Sequence, residues 1–282
     1  MRPDEPAALG RVLRRAREAA FAPGEYVGQE SFVLASEVLA LAGRAGIGPG
    51  VSVLDVCCGV AGPGLLVARE LGCGYVGVDA SPVAVARARR RADRAGLPVR
   101  FLVARVPPLP PGPFDVVLLL ETMLAFPDKP ALLGAVAAAL PTGGRFAFTV
   151  EEGVPLTAGE RAAMPSSHTV WPTPLPELLD HLEGAGMRVR WQSDWSHSHH
   201  ATVDALIETY AAAAATGPTG AIGSATLDEL LASHRLWSAW LRERRVRKLA
   251  IVAEKLPPPP DGRRRPVAPF RADQPRRGAS TS

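Results

Sequence analysis

The stretch Val51-Ser-Val-Leu-Asp55-Val-Cys-Cys-Gly59-Val-Ala-Gly62-Pro-Gly64, followed by Tyr75-Val-Gly-Val-Asp79, constrains this chain more than any other part of it. Val51 to Val56 is short, apolar and β-branched, the mark of a buried strand. A turn of small residues comes next, and Leu65 to Leu71 then opens a helix. Tyr75 to Asp79 is a second buried strand, tipped by a carboxylate. Strand, glycine turn, helix and acid-tipped strand together form a pocket for an adenosine-containing cofactor. The glycines let backbone approach the ligand closely, and the carboxylate can accept from both ribose hydroxyls.

The spacing of the turn separates the cofactors. A nicotinamide dinucleotide turn reads G-x-G-x-x-G, and these glycines are out of that register. The pattern Asp55-x-Cys57-x-Gly59-x-Ala61 resembles instead the D-x-G-x-G-x-G turn of class I S-adenosylmethionine-dependent methyltransferases, small-molecule type. The resemblance implies that Asp55, Cys57, Gly59, Ala61, Asp79 and Ala80 hold S-adenosylmethionine, with S-adenosylhomocysteine as product. Cys57 and Ala61 replace the outer glycines; both are small, so the turn is expected to survive.

The resemblance runs over about residues 25 to 255. Val99 to Val103 reads as a third strand, and Phe114-Asp-Val-Val-Leu-Leu-Leu120 matches the family's F-D-x-V strand. Leu140-Pro-Thr-Gly-Gly-Arg145-Phe-Ala-Phe-Thr149 looks like its turn and fifth strand. Met187 to Gln192 reads as the sixth and Arg247 to Glu254 as the seventh, with helices over Pro82–Ala95 and Pro130–Leu140 between them. Strands alternating with helices imply an α/β fold. The family's version is a Rossmann-like, seven-stranded, mostly parallel sheet with helices on both faces. In it the seventh strand lies antiparallel beside the fifth, and a helical cover lies over the substrate. One feature departs from the family: where an acid usually contacts the adenine amino group stands Arg105, which implies backbone and apolar contacts there, or a stacked Arg105.

The expected organisation is one domain over 1–255. It comprises an N-terminal helical lid (1–45), a cofactor-binding core (51–150), substrate-side loops and helices (151–246) and a last strand (247–255). The Pro- and Arg-rich segment 256–282 lacks apolar periodicity and reads as a disordered tail. That tail also explains the net charge of +4: six of the 32 Lys and Arg and two of the 28 Asp and Glu lie in it, which leaves 26 of each. The body is therefore neutral, and a nucleic-acid partner is not expected. The 3 cysteines, Cys57, Cys58 and Cys73, have no zinc spacing, so neither a metal nor a disulfide framework is expected. No leader-like or membrane-length apolar run is present, which leads to the expectation of a cytoplasmic protein with no membrane partner. A homodimer is left open. Abundant Ala, Arg, Gly and Pro with scarce Lys resembles high-GC actinobacterial proteins, among which methyltransferases of secondary metabolism are common.

Ligands of open α/β sheets bind at the carboxyl ends of the strands. This puts the substrate near Glu121, at the tip of the fourth strand. Methyl transfer asks the protein for alignment and dryness, and for a base only if the acceptor arrives protonated. Glu121 can be that base, or a carboxylate that binds the cofactor's methionine end or caps the next helix. The run Trp195-Ser-His197-Ser-His199-His200 reads as a surface loop after the sixth strand, with catalysis by His199 or His200, or weak metal ligation, as the alternatives. The lid supplies Tyr26 and Gln29. The segment Val154–Pro176 is too Pro-rich for a regular helix and reads as a pocket loop carrying His168 and Trp171. Trp195 and the other tryptophans suggest an aromatic-lined cavity, although Trp237 and Trp240 also suit core packing.

Three functions fit the residues. The first is methylation of a small, largely apolar or aromatic molecule. The second is a non-methylating reaction, a cyclisation or elimination, on the same fold with the cofactor bound. The third is a non-catalytic binding protein.

Overall fold

The computed structural model describes residues 5–164, 169–216 and 220–258. His168 and most of the Pro/Arg-rich tail therefore lie outside the described residues. Among the described residues no helix is long and apolar enough to cross a membrane.

The sheet is built from β1 (Ser52–Val56), β2 (Gly74–Asp79), β3 (Arg100–Val103), β4 (Val116–Leu119), β5 (Arg145–Glu152), β6 (Met187–Asp194) and β7 (Arg247–Lys255). Its order is β3-β2-β1-β4-β5-β7-β6. The pairs of β1, β2, β3, β4 and β5 are parallel, while β7 runs antiparallel to both β5 and β6. This is the expected seven-stranded, mostly parallel architecture. Central strands are covered on both sides, so β4 (Val-Val-Leu-Leu) is apolar throughout and fully buried.

Alternation along β1 divides the core. Val53 joins a cluster with α2 (Ala35–Arg44), α3 (Gly62–Leu71) and α4 (Pro82–Ala95) on one face. Leu54 and Val56 join α5 (Lys129–Ala139) and α7 (Leu175–Gly184) on the other. Ser81 caps α4, its hydroxyl accepting from Ala84 N–H, and Asp128 caps α5 through Ala131 N–H.

The cover is helical. α1 (Glu5–Ala19), α8 (Ser196–Thr216) and α9 (Gly220–Arg242) pack through Ala16, Leu206, Tyr210, Leu227 and Leu231. Two expectations need correction here. The histidine run is not a surface loop, because α8 begins at Ser196 and takes it into its first turns. Asp194 accepts from Ser196 N–H at 2.9 Å, which helps start the helix early. The segment 154–176 does contain a helix, α6 (Ala158–Ala163). Its prolines fall outside that turn, and a Thr157/Glu160 capping box secures it.

Candidate active site

Helix α3 starts against the turn, and two close approaches show why small residues are needed there. A Cβ on Gly64 would lie 2.0 Å from the Tyr75 hydroxyl and 2.6 Å from Asp55 Oδ2. A Cβ on Gly62 would lie 2.6 Å from the Val27 carbonyl oxygen, so the lid's backbone runs directly over the helix N-terminus. Cys57 and Ala61 adopt φ of 59° and 57°, the left-handed region that glycine favours. The turn thus keeps its glycine-type backbone with non-glycine residues, at a cost in strain.

Asp79 accepts from Gly59 N–H at 2.9 Å through Oδ2 and from Ser81 N–H at 2.8 Å through Oδ1. A carboxylate offers about four lone-pair directions, so it can organise the turn and still receive ribose hydroxyls. Asp55 is buried beneath the turn and accepts from the Tyr75 hydroxyl at 2.6 Å. Burial pushes its carboxyl up to about 7, against the pull of that hydrogen bond. Burial, with Asp79 beside it, pushes the Cys57 thiol up to about 12, so it is an inert wall group.

The turn opens into a cavity of about 710 Å³, within the range typical of ligand sites. One end is walled by Asp55, Cys57, Gly59, Ala61 and Asp79. The lid residues Gln29 to Phe32 close over it. The other end is apolar, with Leu124, Met164, Val170, Leu230 and Trp237, plus Thr226, Glu229, Ser233 and His234 from the inner face of α9.

Between the ends sits a buried charge cluster. Glu121, at φ 55°, follows β4, and its amide donates to the Thr149 hydroxyl at 2.7 Å. The β5/β7 register places Lys248 opposite Glu151. The Lys248 ammonium reaches Glu121 Oε1 and Glu151 Oε1, each at 2.5 Å. The other oxygen of Glu121 accepts from Phe32 N–H of the lid. Burial alone would raise the Glu121 carboxyl, but Lys248, with His199 beside it, holds it well below the usual carboxylate range. Burial works to lower Lys248, and the two carboxylates outweigh it and raise it.

His199 is buried in the same cluster. Its Nε2 accepts from the Trp237 indole N–H at 3.0 Å. An indole only donates, so the proton sits on Nδ1, 3.6 Å from Glu121 Oε1. Glu121, Glu151 and His199 have the composition of a metal site. Lys248 already stands between the carboxylates, however, and the imidazole presents a proton rather than a lone pair, so the set does not suit a cation.

The lid is fastened from both sides. Arg17 donates to the carbonyls of Gln29, Glu30 and Ser31 and to the Tyr210 hydroxyl. Arg91 donates to the carbonyls of Val27 and Gly28.

The residues expected at the site are dispersed more widely than the sequence suggested. Asp55, Cys57, Gly59, Ala61, Asp79, Glu121 and Gln29 line the cavity. Gln29 spends its amide inside the lid: it accepts from Val27 N–H and donates to the carbonyls of Glu25 and Val33. Ala80, just after β2, and Arg105, just after β3, are exposed and not part of the cavity wall. Tyr26 packs on Phe21, Trp195 on Trp191, and Trp171 under the Arg161 guanidinium, all outside the wall. His200 pairs with Ser238 of α9 and with Asp204, outside the cavity wall. Among the described residues Trp237 is the tryptophan that lines the cavity, with the rings of Phe32 and His234 beside it, so the expectation of several tryptophans there is corrected. Glu151, Lys248 and His234 are the residues that sequence reading missed.

Residues 53–144 match the family described as Methyltransferase domain. Residues 53–144 are thus a methyltransferase domain. The chain is 31% identical over 158 residues to the ubiquinone biosynthesis O-methyltransferase of Rhodopseudomonas palustris, covering 51% of this chain and 61% of that one. The chain spans about half the length of the curated relatives it matches. Among solved structures, the cyclopropane synthase MmaA2 of Mycobacterium tuberculosis aligns with a TM-score of 0.74 at 14% identity, covering 88% of this chain and 94% of that one. The cyclase SpnF aligns with a TM-score of 0.70 at 19% identity, covering 88% and 93%. At these identities the methyltransferase domain shares its fold with both.

Proposed function

We propose that the protein transfers the methyl group of S-adenosylmethionine to a small, largely apolar molecule of secondary metabolism. The observation that carries this reading is the single cavity shared by the turn residues 55–61 and the apolar wall from Leu124, Met164, Val170 and α9. S-adenosylmethionine brings an already activated methyl group, so the protein's task is alignment and exclusion of water. Asp79 would hold the ribose, and Asp55 would support the turn near the methionine end. The lid, held by Arg17, Arg91 and Glu121, would seal the cavity. Glu121 is read here as the lid's anchor rather than as a base, since both its oxygens are engaged and Lys248 keeps it ionised.

The test is calorimetric titration with S-adenosylhomocysteine. The expected result is micromolar binding, about −8 kcal/mol, that disappears in Asp79→Ala. Normal affinity in that variant would remove the ribose assignment. A second reading, a cyclisation or elimination with the cofactor bound, draws support from the engaged state of Glu121 and His199, which leaves neither free as a base. Product mass separates the two: a gain of one methyl group against an isomer or a loss.

A further inference from the structure

Among the described residues three buried side-chain polar atoms have no hydrogen-bond partner: Glu151 Oε2, His199 Nδ1 and His234 Nε2. His199 Nδ1 has the Glu121 carboxylate 3.6 Å away. The other two, Glu151 Oε2 and His234 Nε2, belong to residues of the cavity wall. Glu151 is 3% exposed and His234 is 7% exposed. Both atoms are hydrogen-bond acceptors. Lys248 occupies Glu151 Oε1 and leaves Oε2 without a hydrogen. His234 Nδ1 lies 2.6 Å from the Leu230 carbonyl oxygen. A carbonyl only accepts, so Nδ1 carries the proton and Nε2 a bare lone pair. Burial also pushes His234 below the usual histidine range, which keeps that lone pair unprotonated.

Buried acceptors are nearly always satisfied, and an exception calls for a specific cause. Here two exceptions share one wall, and both lack the same thing, a donated hydrogen. We propose that the methyl acceptor supplies it: the substrate is an apolar alcohol, phenol or amine, methylated at oxygen or nitrogen rather than at an alkene carbon, and Glu151 takes its proton. This rests on the methyl-transfer reading of the cavity. Glu121 is excluded as the proton acceptor because Lys248 and Phe32 N–H engage its two oxygens. His199 is excluded because the Trp237 indole holds its lone pair. Glu151 stands in the same cluster as Glu121, between the turn and the apolar end. His234 belongs to the cover and presents the second open acceptor of the same cavity.

The step balances without a further reactant. The heteroatom's lone pair forms the bond to the methyl carbon, and the carbon–sulfur bond breaks with its electrons going to sulfur. The heteroatom's proton passes to Glu151 Oε2 and leaves to water when the lid opens.

Four probes of one skeleton test this on the full chain with S-adenosylhomocysteine bound: naphthol, naphthylamine, methoxynaphthalene and methylnaphthalene. Naphthol or naphthylamine is expected to bind at least about tenfold tighter than the two probes without a donor, and which of them wins distinguishes oxygen from nitrogen. With methyl-labelled S-adenosylmethionine, label should pass to the heteroatom of the tighter probe. Glu151→Gln should slow that transfer by about 100-fold or more, the range of a lost general base, while keeping its affinity for S-adenosylhomocysteine, even though the loss of one carboxylate partner of Lys248 lowers its melting temperature. Affinities within twofold across the set, no affinity for any of the probes, no transfer to the tighter one, or wild-type transfer in Glu151→Gln would each overturn the proposal. Failure of the wild-type chain to bind S-adenosylhomocysteine would instead strike the methyl-transfer reading beneath it.

Discussion

The two ends of the cavity are built by opposite strategies. The cofactor end comes from one continuous stretch, Asp55 to Asp79, in which each residue is positioned by its neighbours along a strand, a turn and a strand. The rest of the cavity draws on Phe32, Glu121, Glu151 and His234, backed by His199 and Lys248, which only the closed sheet and the helical cover bring together. The first is a local object whose cost is backbone strain at Cys57 and Ala61. The second is a long-range object whose cost is the burial of charge at Glu121, Glu151 and Lys248. Stability should therefore respond to mutation differently at the two ends.

The largest effect is expected at the charge cluster. Lys248→Met strands two carboxylates in a dry site, and removing one partner of a buried pair costs about 3–5 kcal/mol. At about 2–4 °C per kcal/mol for a domain of this size, thermal melting should fall by roughly 10 °C. A loss under about 2 °C would mean that the cluster is solvated.

The next effect belongs to Asp55. Its folded-state pKa of about 7 lies above the ordinary 3.8, so the folded protein holds a proton that the unfolded chain releases. The associated stability is fully present below about pH 4 and is lost as pH rises through 7. Urea midpoints followed across that window should decline, and Asp55→Asn should flatten the decline. An unchanged slope in the variant would assign it to other groups.

The smallest effect lies in the turn. Relieving one left-handed non-glycine residue returns about 1–2 kcal/mol, and the looser unfolded chain takes back about 0.4–1 kcal/mol. Ala61→Gly should therefore raise stability by about 0.5–1 kcal/mol in denaturant titration. Destabilisation would show that the Ala61 methyl group packs more strongly than its backbone is strained.

The same contrast explains what the sequence revealed. Asp55, Gly59 and Asp79 were legible because the turn's chemistry is written in adjacent letters, and β7 was placed at Arg247 because its apolar run is unbroken. Glu151 was lost because a strand read to end at Thr149 continues through Val150, Glu151 and Glu152. Two successive glutamates look like a loop until Lys248 and Arg247 are found paired with them across β7. Nothing in the sequence separates His234 from the other polar residues of α9; only the Leu230 carbonyl and the cavity beside it give its lone pair significance. Trp171, Trp195 and Tyr26 were chosen for their chemistry, and packing placed them elsewhere.

The fastening of the lid has a kinetic consequence. Segment 27–32 is bound at one side by Arg91, at the other by Arg17, and beneath by the Glu121 carboxylate through Phe32 N–H. A bound donor could leave only once these ties part, which makes opening of the segment a candidate for the slow step of turnover. One carboxylate, Glu121, therefore serves two neighbours at once: one oxygen holds the cover through Phe32 N–H and the other holds Lys248 in the sheet, so a change at either partner is felt by the other.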